Sequence, residues 1–455
     1  MKPITVTQIE KKVFDGLVQN TRSPYLDFFG QELLYFANES RTILGTILQD
    51  KIDKDYVAIM LGRDENGKFR AFNLQTELLD IPSSIMWLTN TIKWYTGLGK
   101  TIFPQGDPLK TIMLFDTKLP IEKQHPYFVT VNSSEAFLAA KEIINSIMPY
   151  FVDIDGNFVE QFQTTGFDAR IWELYLFACF IEDGFEFDRR YDRPDFIINK
   201  FTDKIAVEAV TLGRKDSPAK SIHLDPDYFI NLPNTIKDMD QMAIKFGSCL
   251  YTKLQKKYWE LPQVKDIPLI IAIADFHEDM SMTWSSNHLI SYLYGVTHTA
   301  RYDENGNQII EVHNIDFHEF DGKKIPSGFF NQPGSENISG VLFCSSGTIS
   351  KFNRMGKQMG FGLKNVKMYR MGACYNDTPN ASKPKFYKYE VNESSNEDWQ
   401  EGLELFHNPN ALKPIDMDIF PHIAHHFFFK NGNIESHMRK FHPYNSYTMN
   451  MIIKE

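Results

Sequence analysis

The stretch that most restricts how this chain can fold runs from Ala169 to Thr211, ARIWELYLFACFIEDGFEFDRRYDRPDFIINKFTDKIAVEAVT. Ile171, Leu174, Tyr175, Ala178 and Ile181 recur at helical spacing. Trp172, Phe177, Cys179 and Phe180 fill much of the other side, so the helix is expected to be buried rather than to lie on a surface. Gly184 ends it. Three strand-like runs follow, Phe185 to Phe187, Phe196 to Ile198 and Ile205 to Thr211. Asn199 to Lys204 make the turn between the last two.

Three acids stand out against this apolar background. Glu173 lies in the first turns of the helix, Asp195 opens one strand and Glu208 sits inside the next. Antiparallel strands joined by a tight turn bring such positions side by side. A carboxylate in an apolar strand is costly unless it is paired or metal-bound. Converging carboxylates are the usual oxygen site for Mg²⁺. A plainer reading has Asp195 capping a turn, Glu208 facing solvent on an edge strand and Glu173 paired with an arginine.

The order of helix Glu, Pro-Asp, strand and Glu-x-x resembles the PD-(D/E)xK nuclease superfamily. The residues that carry it are Glu173, Pro194-Asp195 and Glu208-Ala209-Val210. A helix from about Asp238 to Tyr258 and a strand from Pro268 to Ala274 extend it, so that the match covers Gly166 to Phe276. The resemblance implies an α/β, restriction-endonuclease-like core of α-β-β-β-α-β order. It also implies a metal-dependent endonuclease that hydrolyses nucleic-acid phosphodiesters, in settings such as bacterial defence or mobile elements. Asp195 and Glu208 would hold Mg²⁺ (or Mn²⁺), with Glu173 completing the shell directly or through water.

In the family a lysine stands two residues after the Glu, where it helps position the attacking water and stabilise developing charge. Here that place is Val210. Lys204, Lys215 and Lys253 are candidates for the role, and Lys215 is placed with Glu173, Asp195 and Glu208 in the expected catalytic set. The alternative is a protein that binds nucleic acid on the same fold without cleaving it. A third reading is an interaction protein whose three acids are coincidental.

With 455 residues the chain is too long for one ordinary core. Three regions are expected: a strand-rich N-terminal domain over 1–130, the nuclease-like domain over 131–290, and a mixed C-terminal region over 291–455. The whole is α/β with α+β parts. Hydrophobic content of 42% and charged content of 23% fit a soluble globular protein. No run is apolar for long enough to span a bilayer, and the N-terminus lacks a signal-peptide core, so no membrane partner is expected. Cys179, Cys249, Cys344 and Cys374 are widely spaced and read as reduced thiols in a cytoplasmic protein. The net charge of −10 argues against a chain coated in basic charge for DNA, but leaves room for a local basic groove.

In the N-terminal region Ile43 to Leu48 and Tyr56 to Leu61 read as strands, with Asn66-Gly67 as a hairpin turn and Phe69 to Phe72 as the returning strand. Ile85 to Trp94 reads as a helix capped by Ser83 or Ser84. Thr111 to Phe115 and Tyr127 to Val131 read as further strands, and Ser133 or Ser134 opens a helix to about Tyr150. Asp50, Asp53, Asp55, Asp64 and Glu65 fall at strand ends and turns. Leu212 to Asn234 is a long polar loop holding Arg214, Lys215, Lys220 and His223, either closing over substrate or lying on the surface.

Two features mark the C-terminal region. His422-Ile-Ala-His425-His426 has a spacing that a helix could fold into a metal site, but no Cys or carboxylate stands nearby in sequence, so a structural or surface role is favoured. From Asn337 to Asn376 there is no Asp or Glu, while Lys351, Arg354, Lys357, Lys364, Lys367 and Arg370 all occur. With Ser, Asn and Gly interleaved, this segment suits phosphate oxygens. Lys351, Arg354 and Lys357 are the expected contacts to nucleic acid, DNA in the first instance. The other reading is a basic face that binds the acidic remainder of the same protein.

Overall fold

The computed structural model describes residues 3–109, 112–214, 235–305, 308–379, 381 and 383–453. The chain opens with an antiparallel meander in which β1 (Val6–Gln8), β2 (Gly30–Asn38), β3 (Ile43–Asp50), β4 (Tyr56–Arg63) and β5 (Phe69–Leu78) pair in sequence order. Helices α1 (Lys11–Val18) and α2 (Leu26–Phe29) lie in its first connection, and α3 (Ile81–Gly97) follows it. Strand periodicity sends alternate residues to opposite faces. Ile43, Ile47, Ala58 and Met60 pack with Leu88 and Ile92 of α3, while Leu44 and Leu61 pack with Phe14 and Leu17 of α1.

The expected hairpin forms at Asn66-Gly67, where Gly67 takes the left-handed φ of +84° that the turn requires. Asp64 is buried there because its Oδ1 accepts from the backbone N–H groups of Asn66 and Lys68, both at 2.9 Å. Helix α3 is capped by Asp80, which accepts from Ser83 N at 2.7 Å, rather than by Ser83 or Ser84.

Two expected strands are corrected. Tyr127 to Val131 lie within α4 (Pro126–Ser133), where Pro126 sits in the first turn and His125 caps it. Phe128 and Val131, three apart, are the side chains this helix buries. Ile112 to Phe115 form no strand, and Thr111 is outside the described residues. Leu114 and Phe128 join the main core, not the meander, so the packing boundary falls before the expected one near residue 130.

The main body holds α5 (Leu138–Ile147), α6 (Phe158–Gln163), α7 (Phe167–Glu182), the strands β6 (Glu186–Phe187), β7 (Phe196–Lys200) and β8 (Asp203–Leu212), then α8 (Thr235–Gln255) and β9 (Leu269–Asp275). After α9 (Ser286–Tyr294) come two hairpins, β10 (Val296–Tyr302) with β11 (Gln308–Asn314) and β12 (Phe317–Phe320) with β13 (Lys323–Pro326). The chain continues through β14 (Gly340–Cys344), α10 (Ile349–Gln358), β15 (Val366–Cys374), β16 (Lys385–Glu390), β17 (Leu403–His407), β18 (Ala424–Phe428), β19 (Ile434–His437) and β20 (Tyr447–Ile452).

One eight-stranded sheet organises this body, in the order β19-β18-β17-β14-β9-β8-β7-β6. Strands β8, β9 and β14 run parallel, and β7 pairs antiparallel with β8. Every residue of β9 is buried, as expected for its continuous apolar run. The boundary expected at residue 290 is therefore corrected: β9 and β14 lie on either side of it and are hydrogen-bonded neighbours. A single core extends from Leu114 to Ile423. The fold is a mixed α/β architecture with several sheets.

Candidate functional site

Helix α7 is apolar on all sides because it is enclosed. Trp172 donates its indole N–H to Ala272 O of β9 at 3.1 Å, and Tyr175 donates to Trp399 O at 2.9 Å. Its first turns reach a cleft, to which Ala169, Arg170 and Glu173 contribute.

The β7–β8 register sets the two strand acids together. Phe196 pairs with Val207, so one step further Asp195 stands across from Glu208. Residues opposite each other in an antiparallel pair point to the same face. Ala209 N donates to Asp195 Oδ2 at 2.7 Å and fixes that side chain. Glu173, Asp195, Val210 and Lys253 line one cleft of about 340 Å³. Burial, then the charges of Glu208 and Glu173, push the Asp195 carboxyl well above its usual range. The Glu173 carboxyl is likewise raised, chiefly by burial, against the pull of Arg170.

Basic groups reach this cleft from places other than position 210. Lys253, on the last turn of α8, puts its Nζ 2.5 Å from Glu208 Oε1. Tyr258 donates to the same oxygen at 2.7 Å. Lys204 turns away and pairs with Asp188 at 3.2 Å. Lys215 lies outside the described residues, as do Lys220 and His223.

Sequence reasoning offered an arginine partner for Glu173 without naming it and passed over two further participants. Arg170, one turn before Glu173 on α7, holds it at 2.7 Å and is itself held by Gln161 and Asn157. That spacing of three on a helix was a readable signal. Arg189 lines the cleft inside a cage of four rings, 5.2 Å from Phe151, 5.6 Å from Phe177, 4.5 Å from Phe187 and 5.1 Å from Phe196. Burial lowers its pKa to about 10, and its Nη2 has no hydrogen-bond partner among the described residues. Tyr258 gave no signal, because its role depends on the turn that follows α8.

The cleft as a whole is acidic. Asp153, Asp155, Glu173, Asp192 and Asp195 line it, against Arg170, Arg189 and Lys253. Among the described residues no group of three or more His, Cys, Asp or Glu is arranged to hold a metal ion. Asp195 lines the cleft, while Glu208, across from it in the strand register, accepts at Oε1 from both Lys253 and Tyr258.

The expected nucleic-acid contacts are corrected. Lys351 and Arg354 are 0% and 1% exposed. Lys351 Nζ lies 2.7 Å from Glu397 Oε1, and Arg354 makes two bonds to the same carboxylate, each 2.8 Å. Lys357 donates to Leu363 O at 2.8 Å. Helix α10 packs its length on α5, and a Cβ on Gly356 would meet Ala139 O at 2.2 Å. Lys351 and Arg354 are interior and meet the protein's own acid, and the half-buried Lys357 meets a backbone carbonyl.

The histidine cluster lies in a strand rather than a helix: His425 and His426 fall in β18, and strand geometry points them to opposite faces. His425 Nδ1 is 2.9 Å from His407 Nε2, while His426 faces Glu404 at 3.2 Å. Among the described residues no helix is long and apolar enough to cross a membrane.

Comparison of the chain with protein-family models, with curated proteins and with solved structures returned no match.

Proposed function

We propose that this chain is a metal-dependent nuclease on a restriction-endonuclease-like core, with its centre in the cleft between α7 and the β7–β8 pair. The observation that carries the reading is the meeting of Glu173, Asp195 and Lys253 in one cleft, with Glu208 bonded to that lysine. The run α7, β6, β7, β8, α8, β9 has the element order of such a core.

Asp195 and Glu208 are the residues that would hold Mg²⁺ or Mn²⁺. Such an ion, when bound, supplies a water of lowered pKa and neutralises charge on the phosphate. Lys253 takes the place that Val210 leaves vacant, since both line the cleft and the ammonium already rests on Glu208. Released towards a scissile phosphate, it stabilises charge as a compact cation. Arg189, held by its four rings, adds positive charge at the cleft wall. Arg170 keeps Glu173 oriented. Because acids outnumber bases in the lining, a polyanion is expected to approach only with a divalent cation present.

A second reading is a protein that binds nucleic acid without cleaving it. It is favoured by Glu208 Oε1, which both Lys253 and Tyr258 already occupy. A cleavage assay separates the two. Single- and double-stranded DNA and RNA are incubated with Mg²⁺, Mn²⁺ or EDTA. The nuclease reading expects metal-dependent cleavage of at least one substrate, abolished in Asp195→Asn. Metal-dependent binding without cleavage of any of them selects the second reading.

A further inference from the structure

The basic segment that begins in the interior ends on a surface. After α10 it continues into β15, the middle strand of a three-stranded antiparallel sheet in the order β16-β15-β20. The register sorts this sheet into two faces. Arg370, Tyr389 and Thr448 stand opposite one another on the first, where Arg370 is fully buried. Helix α10 reaches the same face, since Arg354 donates to Thr448 Oγ1 at 2.7 Å and Asn353 to Asn450 Oδ1 at 3.4 Å. That face is occupied by the protein itself.

The second face looks outward. Residues directly opposite in an antiparallel pair share a face. It therefore holds Tyr369 and Met371 of β15, Met449 and Met451 of β20, and Phe386 and Lys388 of β16. Phe386 is 86% exposed and Met451 48%. Tyr369 is half-buried, with Lys388 Nζ 6.0 Å from the centre of its ring. Apolar side chains, rings and an ammonium thus share one open surface.

Positive charge frames this surface. From residue 364 to residue 390 the lysines are Lys364, Lys367, Lys383, Lys385 and Lys388, against only Asp377 and Glu390 as acids. Lys367 pairs with Glu390 at 2.7 Å, and Lys385 pairs with Asp377. Lys364, Lys383 and Lys388 make no ion pair among the described residues. Lys364 lies just before β15 and Lys383 just before β16. The two strands are antiparallel, so these cations stand at opposite ends of the sheet with Lys388 between them. Lysines on an edge strand also guard against edge-to-edge pairing. That role accounts for the charge, but not for a phenylalanine left almost wholly in water beside it.

Rings interleaved with unpaired cations fit one kind of partner. Every nucleobase has a π-face that stacks on an aromatic side chain, and the phosphates between bases take the cations. We propose that the outer face of the β16-β15-β20 sheet binds single-stranded nucleic acid. One base stacks on Phe386, another lies beside Tyr369, and Lys364, Lys383 and Lys388 meet phosphates. Phe386 stands opposite Ala373, four residues along β15 from Tyr369, which is about 14 Å, so the two rings meet different bases. A duplex keeps its bases stacked within itself and leaves Phe386 unused. An acidic peptide satisfies the lysines alone. This surface is distinct from the acid cleft and does not depend on the reaction proposed for it.

Fluorescence anisotropy of the full chain with labelled oligonucleotides tests the proposal. Single-stranded DNA and RNA of mixed sequence are compared with duplexes of the same length and with polyglutamate. All are measured in EDTA, so that neither cleavage nor a divalent ion in the acid cleft contributes. At least one single strand is expected to bind at least about tenfold more tightly than its duplex or polyglutamate, with affinity falling as salt rises. Phe386→Ala is expected to weaken that binding by at least about fivefold, the loss of one stacked base. Its melting temperature should hold, because the ring is 86% exposed. Lys388→Ala is expected to weaken binding and to reduce the salt slope by about one unit. The proposal is overturned if no single strand binds, if a duplex or polyglutamate binds as tightly, or if either folded variant binds like the parent.

Discussion

Two buried charge clusters in this molecule stand in opposite states. Around Glu397, Lys351, Arg354 and Arg370 converge on one carboxylate, with Glu401 taking a further bond from Arg370 at 2.7 Å. Burial works to raise Glu397, but Arg354, Arg370 and Lys351 outweigh it and hold the carboxyl well below its usual range. Around Asp195 the balance is reversed, with two further carboxylates nearby and the proton held more tightly. The first cluster finds its counter-charges within the chain. The second is left with mutual repulsion that a bound cation would remove. Burial of charge alone therefore does not mark a site; the sign of what surrounds it does.

The largest expected effect breaks the first cluster. Glu397→Gln leaves three cations without their central partner and should cost about 3–5 kcal/mol, read by chemical denaturation. The pH dependence has a definite sign. The folded-state pKa of Glu397 is depressed, so its stabilisation is fully present above the unfolded value of about 4.3. It is lost as pH falls from there towards the folded value. A parent and variant that converge in stability only at acid pH meet this expectation, while a constant gap contradicts it.

The next effect concerns the second cluster. Lys253→Met should lower metal-dependent cleavage by about 10²–10³-fold, the loss typical of one transition-state donor. Unchanged kcat would transfer the role to a residue outside the described set. Asp195→Asn should abolish cleavage yet raise stability by about 1–2 kcal/mol, since it removes a charge from among its own kind. Here the sign runs the other way. The folded pKa is raised, so the penalty is absent below about 3.9 and grows as pH rises from there to the folded value. A destabilised Asp195→Asn at neutral pH would mean that the cluster is already compensated.

The smallest effect is that of Tyr258→Phe. It removes one bond to Glu208 and leaves Lys253 in place, so about 0.5–1.5 kcal/mol of stability should be lost. A cost far above that range would make Tyr258, rather than Lys253, the main partner of Glu208.

What could be read from the sequence followed local periodicity. Helix α7, strands β7 and β8 and the fully buried β9 were legible because burial writes itself into apolar spacing. The pairing of Asp195 with Glu208 followed from the short turn between their strands. What failed depended on distant partners. The run Lys351, Arg354 and Arg370 looked like a surface because its acids, Glu397 and Glu401, come later in the chain. The continuity of the sheet across residue 290 was hidden because β9 and β14 are separated by α9 and two hairpins. Tyr127 to Val131 suited a strand by residue type, but Pro126 and the main core made it a helix.

The most direct measurement is calorimetric titration of Mg²⁺ and Mn²⁺ into the parent protein and into Asp195→Asn. The parent is expected to bind a divalent ion more tightly as pH rises, because the raised Asp195 carboxyl must be ionised to receive it. The variant is expected to lose that binding while remaining folded. Absence of binding in the parent, or equal binding in the folded variant, would contradict the assignment of this acid cluster as a cation site.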